Sequence, residues 1–217
     1  MKENQEEAVY CGLKQNHKKQ FKRNQKEYSR LAEHIGLLPV VMISPTDSGL
    51  ITEGSEERRK LMDSIISQFD RDYLNDLIQY NKALSHRNAL LKSFAKNQEF
   101  SLASIEIWDE QLISLGERIH AIRLDFITQL QPVFQAYFEF ISGAKEQTEI
   151  EYDSQLSKSD MRKLLKEALS KDRSVQHSTA GIHKDDLLFK INSYPIKRFG
   201  SQGQQKSFLI ALKLAQY

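Results

Sequence analysis

At 217 residues the chain is long enough to bury a real core, as one large domain or two modest ones. Hydrophobic residues make up 40% and charged residues 28%, an ordinary globular composition, and a formal net charge of +2 excludes any case for a nucleic-acid partner from global charge. The single cysteine, Cys11, excludes an internal disulfide framework, no apolar run approaches the ~18 residues of a membrane helix, and the charged start (MKENQEEAVY) is no secretory signal, so a cytoplasmic protein is expected.

The chain opens with β character. Ala8 to Leu13 is a short apolar run, a polar turn follows at Gln15–Asn16, and Phe21 stands among lysines in a second expected strand. Seven basic residues fall between Lys14 and Arg30 (Lys14, Lys18, Lys19, Lys22, Arg23, Lys26, Arg30) against one acid, Glu27. Such a basic hairpin can neutralise phosphates without reading sequence, with Lys18, Lys19, Lys22, Arg23 and Lys26 as the candidate DNA contacts; a solvated hairpin is the alternative. A short helical pattern (Tyr28, Leu31, Ala32, Ile35) closes at Gly36. The run Pro39–Val40–Val41–Met42–Ile43, ending in Ser44–Pro45, reads as a strand buried on both faces.

From Ser55 the period becomes helical. Leu61, Ile65, Ile66 and Phe69 mark a helix whose start is signalled by Ser55 with Glu56 and Glu57 in the first turn. Tyr73, Leu77, Tyr80, Leu84, Arg87, Leu91 and Phe94 then alternate by four and three, broken in character only by Arg87. After a polar link (Lys96–Glu99) the spacing resumes through Ile105, Trp108, Leu112, Leu115, Ile119, Ile122 and Phe126. Two heptad helices on a short linker predict an antiparallel coiled-coil arm, about 71–130, or two core helices of an ordinary bundle. Leu130, Val133, Phe134, Tyr137, Phe138 and Ile141 widen the apolar face, so the second helix is expected to re-enter a globular body despite Pro132 and to end at Ser142–Gly143.

The remainder is mixed. Glu149 to Tyr152 alternates like a half-exposed strand, and Ser159–Asp160 caps a helix bearing Met161, Leu164, Leu165 and Ala168. Lys171 to Thr179 reads as loose, Leu187–Ile191 as a strand, and Asn192–Pro195 as a turn. His183 with Asp185 and Asp186 suggests either a metal group or, with no second His or Cys nearby, a turn held by local hydrogen bonds. A last apolar helix starts near Gln202 and is expected to cap on Ser201. Gly200 and Gly203 permit close approach to the backbone, and Lys206 opposes its own helix dipole unless an anion binds there. The alternative is an ordinary Ser-capped helix after a Gly turn. That helix runs to Tyr217 without a cap, as if the fold continued.

Several of these segments, in this order, resemble one family. Ser201–Gln202–Gly203–Gln204 resembles the signature segment of ABC-type ATPases in the glutamine-rich form of RecF, and Gly181–Ile182–His183–Lys184–Asp185–Asp186–Leu187 resembles its Gly-Pro-His-Arg-Asp-Asp-Leu stretch. Ser44–Asp47 with Glu57–Asp63, and Tyr80–Leu84 with Arg87–Lys92, are similar to further RecF segments. Ile182 stands where the family has proline, which is expected to loosen that turn. The sequence has no G-x-x-x-x-G-K-S/T pattern and no apolar strand ending in Asp-Glu, so the resemblance covers a central fragment that should not hydrolyse ATP alone.

The resemblance implies an α+β fold: a partial ABC-type ATPase head, with strands at both chain ends and an inserted antiparallel helical arm. Residues 1–54 would belong to the head, 55–142 to the arm, and 143–217 to the returning head. It implies a parent that is a weak DNA-dependent ATPase of recombinational repair and replication restart, using ATP and Mg. The implied partners are gapped DNA with single-strand/double-strand junctions, RecR- and RecO-like mediators, and a second copy in an ATP-dependent homodimer. Ser201, Gln202, Gly203, Gln204, Gln205 and Lys206 would complete the partner's ATP site in trans; no catalytic or metal residue is assigned. A non-enzymatic coiled-coil module and an SMC-type ATPase, whose arms are usually far longer, are the rival readings.

Overall fold

The computed structural model describes residues 7–16, 19–38, 40–143 and 145–216. They divide into two compact units, Met1–Val40 and Val41–Tyr217.

In the first unit, β1 (Val9–Gly12), β2 (Gln20–Arg23) and β3 (Lys26–Glu27) form an antiparallel sheet in the order β1-β2-β3. The expected polar turn and basic second strand are present, with Tyr10 opposite Lys22 and Cys11 opposite Phe21. The short helical pattern beyond it forms one 3-10 turn, Leu31–His34, and Gly36 follows at φ +80°, the left-handed position glycine reaches without strain. No described residue of this unit is fully buried.

The second unit begins with a correction. Val40 to Ile43 is neither a strand nor buried: Val40 and Met42 are more than 70% exposed, and no sheet partner lies beside them among the described residues. An apolar β-branched run becomes a strand only where another edge can receive its hydrogen bonds. Pro39, which opens that run, lies outside the described residues. A helical turn, α1 (Gly49–Thr52), leads to α2 (Ser55–Phe69). Ser55 is the first helical residue rather than the cap, which is Gly54, and its hydroxyl accepts from Arg59 at 2.6 Å.

Helices α3 (Arg71–Asn97) and α4 (Leu102–Ser142) form the expected hairpin. Asp70 caps α3, Gln98 turns the chain at φ +55°, and Ser101 caps α4. Arg118 reaches Asp76, Trp108 stacks on His86, and Arg87 meets Asp109, so residue numbers fall on one helix as they rise on the other. That register is antiparallel. The seam residues Tyr73, Tyr80, Leu91, Ile105, Leu112, Leu115 and Ile119 are buried. α5 (Met161–Val175), capped by Asp160, lies against both helices and buries Met161 and Leu165 there.

β4 (Thr148–Asp153), β5 (Asp186–Ile191) and β6 (Tyr194–Pro195) make the second antiparallel sheet, order β4-β5-β6. Asn192 and Ser193, both at positive φ, form the tight turn between β5 and β6. Strand alternation sends Ile150, Tyr152, Leu187, Phe189 and Ile191 inwards. They meet the widened end of α4, where Phe134 and Phe138 surround Phe208 of α7 (Gln202–Leu214), the helix that follows the short α6 (Ile196–Phe199). Two glutamines of α4 also act as a neighbouring strand for β4. Gln131 accepts from Ile150 N at 2.8 Å and donates to Thr148 O at 2.6 Å, and Gln135 accepts from Thr148 N at 2.8 Å. They satisfy an edge that would otherwise stay unpaired. No described helix is long and apolar enough to cross a membrane.

Candidate nucleotide-signature site

The start of α7 is built by a reciprocal cap. Ser201 Oγ accepts from Gln204 N at 3.2 Å, and Gln204 Oε1 accepts from Ser201 N at 2.7 Å, the capping box that a Ser followed three residues later by Gln allows. Gln204 Nε2 donates onward to Glu146 at 2.6 Å, and Gln205 Nε2 donates to Gly200 O at 3.0 Å. Of the six signature residues, Gln204 and Gln205 thus use their carboxamides to hold the loop, while Ser201, Gln202, Gly203 and Lys206 are exposed. The amides of Gln202 and Gly203 find no protein acceptor among the described residues.

The two glycines differ. A Cβ at Gly200 would sit 2.6 Å from Ile196 Cγ1 and 2.7 Å from Ile196 O, so the fold itself demands glycine there. A Cβ at Gly203 would approach nothing closer than Ser201 Oγ at 3.9 Å. Glycine inside a helix costs roughly 1 kcal/mol relative to alanine, and nothing among the described residues requires it at 203.

Elsewhere in the same unit lies a buried polar network. Arg123, on α4, donates to Asp185 Oδ2 at 2.8 Å, Asp63 Oδ1 at 2.8 Å, Ile182 O at 3.0 Å and Tyr73 Oη at 3.0 Å. Burial opposes its charge, but Tyr73, Asp63, Tyr152 and Asp185 around it outweigh that and raise its pKa. Tyr152 donates to Asp185 as well. Arg58 grips Asp186 through both carboxylate oxygens at 2.7 and 2.9 Å, and Arg59 donates to Asp185 O at 2.6 Å. Tyr80 Oη meets His183 Nδ1 at 3.0 Å, and burial pushes the His183 pKa down to about 4.

Arg87, the residue that interrupts the heptads, is fully buried. It donates to Asp109 at 2.6 Å, Asp172 at 2.6 Å and Ser178 Oγ at 2.8 Å. Asn88 accepts from both the amide and hydroxyl of Ser178, and Asp172 from both groups of Thr179. The stretch expected to be loose is therefore among the most firmly held: α5 runs on to Val175, and Asp172 and Ser178 are buried. Two of its polar side chains, Asp172 and Ser178, are inward partners of Arg87, which polarity along the chain does not disclose. The turn expected to loosen at Ile182 is also tight, because Ile182 is buried and Lys184 N donates to Gly181 O at 2.8 Å. Among the described residues no group of His, Cys, Asp and Glu is arranged to hold a metal ion, and His183 is the hydrogen-bonded turn residue.

The basic hairpin does not converge its charges. Lys22 and Arg23 are consecutive on β2 and point to opposite faces. Arg23 is paired with Glu7, Lys22 lies 5.9 Å over the Tyr10 ring, and Lys19 and Lys26 are exposed. Lys18 lies outside the described residues.

The chain is 50% identical over 216 residues to the DNA replication and repair protein RecF of Flavobacterium johnsoniae, a match covering all of the chain and 60% of that relative. It is also 50% identical over 211 residues to the RecF of Phocaeicola vulgatus, covering 97% of the chain and 56% of the relative. Among solved structures, the recombination mediator protein RecF-ATPrS in the RecFOR pathway superposes with a TM-score of 0.88 at 33% identity over 97% of the chain. This chain belongs to the RecF family. RecF bound to ATP gives a TM-score of 0.89 at 31% identity, and the chain covers 58% of each of these two structures. No family profile matches the sequence. The chain thus spans a little under two thirds of the length of the RecF proteins it matches.

Three of the RecF-like segments recognised in the sequence, Glu57–Asp63, Tyr80–Leu84 with Arg87–Lys92, and Gly181–Leu187, meet in one network, while Ser44–Asp47 and Ser201–Gln204 lie outside it. Arg58 and Arg59, Asp63, Tyr80, Arg87 with Asn88, and His183 to Asp186 all belong to it. Tyr73, Asp109, Arg123, Tyr152, Asp172 and Ser178 are members that sequence reasoning did not assign to it. Arg123 left a signal, as an arginine beside the apolar seam position Ile122.

Proposed function

We propose that this chain is the central part of a RecF-like ATP-dependent DNA-binding protein acting in recombinational repair and replication restart. In this reading residues 1–54 and 143–217 are parts of an ABC-type head and 55–142 its helical arm. Ser201, Gln202, Gly203, Gln204, Gln205 and Lys206 form the signature segment that closes on ATP and Mg held by a second copy, so ATP drives dimerisation on gapped DNA. RecO- and RecR-like mediators are the accompanying partners. The chain has no phosphate-binding loop of its own in the sequence given and would not turn over ATP alone.

The observation that carries the reading is the open start of α7. Among the described residues its first amides are unpaired and no atom crowds the position of its glycine, which suits a phosphate arriving from outside. Gln204 and Gln205 hold the loop in place, while Ser201, the exposed amides and Lys206 face that phosphate. The test uses the full-length protein with Ser201→Arg. It should bind ATP as before but remain monomeric with ATP in sedimentation velocity. An unchanged ATP-dependent dimer would overturn the reading.

A further inference from the structure

We infer that the outer face of α5 is a second nucleic-acid contact, a lysine strip that grips the phosphodiester backbone beside the helical hairpin; the inference rests on the DNA-binding reading above. Met161, Leu165 and Asp172 face inwards, so helical geometry turns Lys163, Lys166, Ser170, Lys171, Arg173 and Ser174 outwards, and all six are exposed. At 1.5 Å per residue, 163 to 174 spans roughly 16 Å of helix. Arg162 is also exposed but is matched by Glu110 of α4, and Glu167, the face's one carboxylate, lies 4.0 Å from Lys163. Lys166 and Lys171 have no carboxylate partner among the described residues. Arg173 is held over the Phe100 ring at 4.1 Å, which fixes its guanidinium at the end of the strip.

An exposed helix usually mixes signs. Here they are sorted. The exposed surface of α4 between Glu106 and Arg118 carries Glu106, Glu110 and Glu117 against Arg118, so the positive charge is concentrated on α5. Apart from Glu167, the polar groups of the strip can donate hydrogen bonds, and none of its residues is a large apolar anchor. A protein interface would need such an anchor at its centre. Lysines and serines in a row instead match phosphate oxygens, without reading base edges.

The experiment measures binding of a fluorescein-labelled gapped duplex by the full-length protein with ATP, across a salt series. Lys166→Gln/Lys171→Gln should weaken binding on the order of tenfold near 0.1 M salt and flatten the log–log salt slope by about 1.8, the loss of two phosphate contacts. Lys166→Glu/Lys171→Glu should weaken it further. Both variants should still dimerise with ATP, since neither residue lies at α7, and their melting temperatures should be unchanged. Unaltered affinity and slope would overturn the strip, including the case in which the variants lose only an acidic protein partner. The Ser201→Arg variant run alongside separates the two ideas. If it dimerises normally with ATP, the signature reading fails while the salt-slope result still decides the strip.

Discussion

At the scale of single residues, the chain spends an unusual number of buried charges on joining its segments. Arg87 and Arg123 are each almost wholly enclosed, and each is paired with carboxylates from elements distant in sequence, although Arg87 Nη2 finds no hydrogen-bond partner among the described residues. A buried ion pair adds little to stability against an apolar substitute, but breaking one half leaves an uncompensated charge. The pairs therefore specify which segments meet more than they strengthen the core. His183 makes this specification pH-sensitive. Burial lowers its pKa from 6.5 to about 4, with the Ser178 carbonyl pulling the other way. Between those values the unfolded chain binds a proton that the folded chain refuses. Stability from this group is complete above pH ~6.5, falls as pH drops towards 4, and changes no further below that. The loss is at most about 3 kcal/mol, and less to the extent that water reaches the ring. Urea midpoints measured from pH 7.5 down to 4.5 should fall for the natural sequence and fall distinctly less for His183→Gln. Parallel curves would show that the ring titrates normally. None of this was legible in the sequence, where His183 offered only a choice between a metal and a turn, because its shift comes from burial in the folded chain, where its ring meets Tyr80, 103 residues away.

At the scale of elements, much was legible, for local reasons. Asp160 and Ser201 cap helices because a short side-chain oxygen reaches an amide three residues on, a relation contained within four residues. The four-three alternation placed both hairpin helices and their seam. The elements misread were those whose state depends on a distant surface: the exposed run at Val40–Ile43, and the segment from Lys171 to Thr179 that closes over Arg87. Two glycines make the same distinction testable. Gly181 sits at φ +124°, and a Cβ there would lie 2.5 Å from Tyr80 Oη and 2.7 Å from Met161 Cε. Gly181→Ala combines backbone strain with a clash in the buried network and should cost roughly 2–5 kcal/mol in urea unfolding. Gly203→Ala meets open space at φ compatible with helix. It should leave stability unchanged or raise it by up to about 1 kcal/mol, while lowering ATP-dependent dimerisation of the full-length protein at least several-fold. Equal effects of the two substitutions on stability would mean that Gly203 serves the fold and not a ligand.

At the scale of the whole chain, burial is divided unevenly between the two units. Val41–Tyr217 contains one continuous apolar cluster that runs from Leu50 and Ile51 through the hairpin seam to Phe208 and Leu212. The described part of Met1–Val40 has a three-stranded sheet and no fully buried side chain; even Val9 and Leu31 are more than a third exposed. The free energy that closes a segment scales with the apolar surface it hides, at roughly 25 cal/mol per Å². A short sheet with so little buried surface is marginal by that measure. Hydrogen exchange of this 217-residue chain should therefore be strongly graded. The amides of β1 and β2 should exchange by local opening at a free energy near zero, while those of α4 around Ile119 and of β5 around Phe189 should open only with the global unfolding of the second unit. Charge adds to the contrast, since the basic residues of Lys14–Arg30 repel one another with Glu27 as the single acid among them. Polyanionic DNA that bound this hairpin would cancel that repulsion and slow its exchange, with the slowing lost at high salt. Protection of β1 and β2 equal to that of β5 without DNA would show that the basic hairpin is held by something other than its own buried surface.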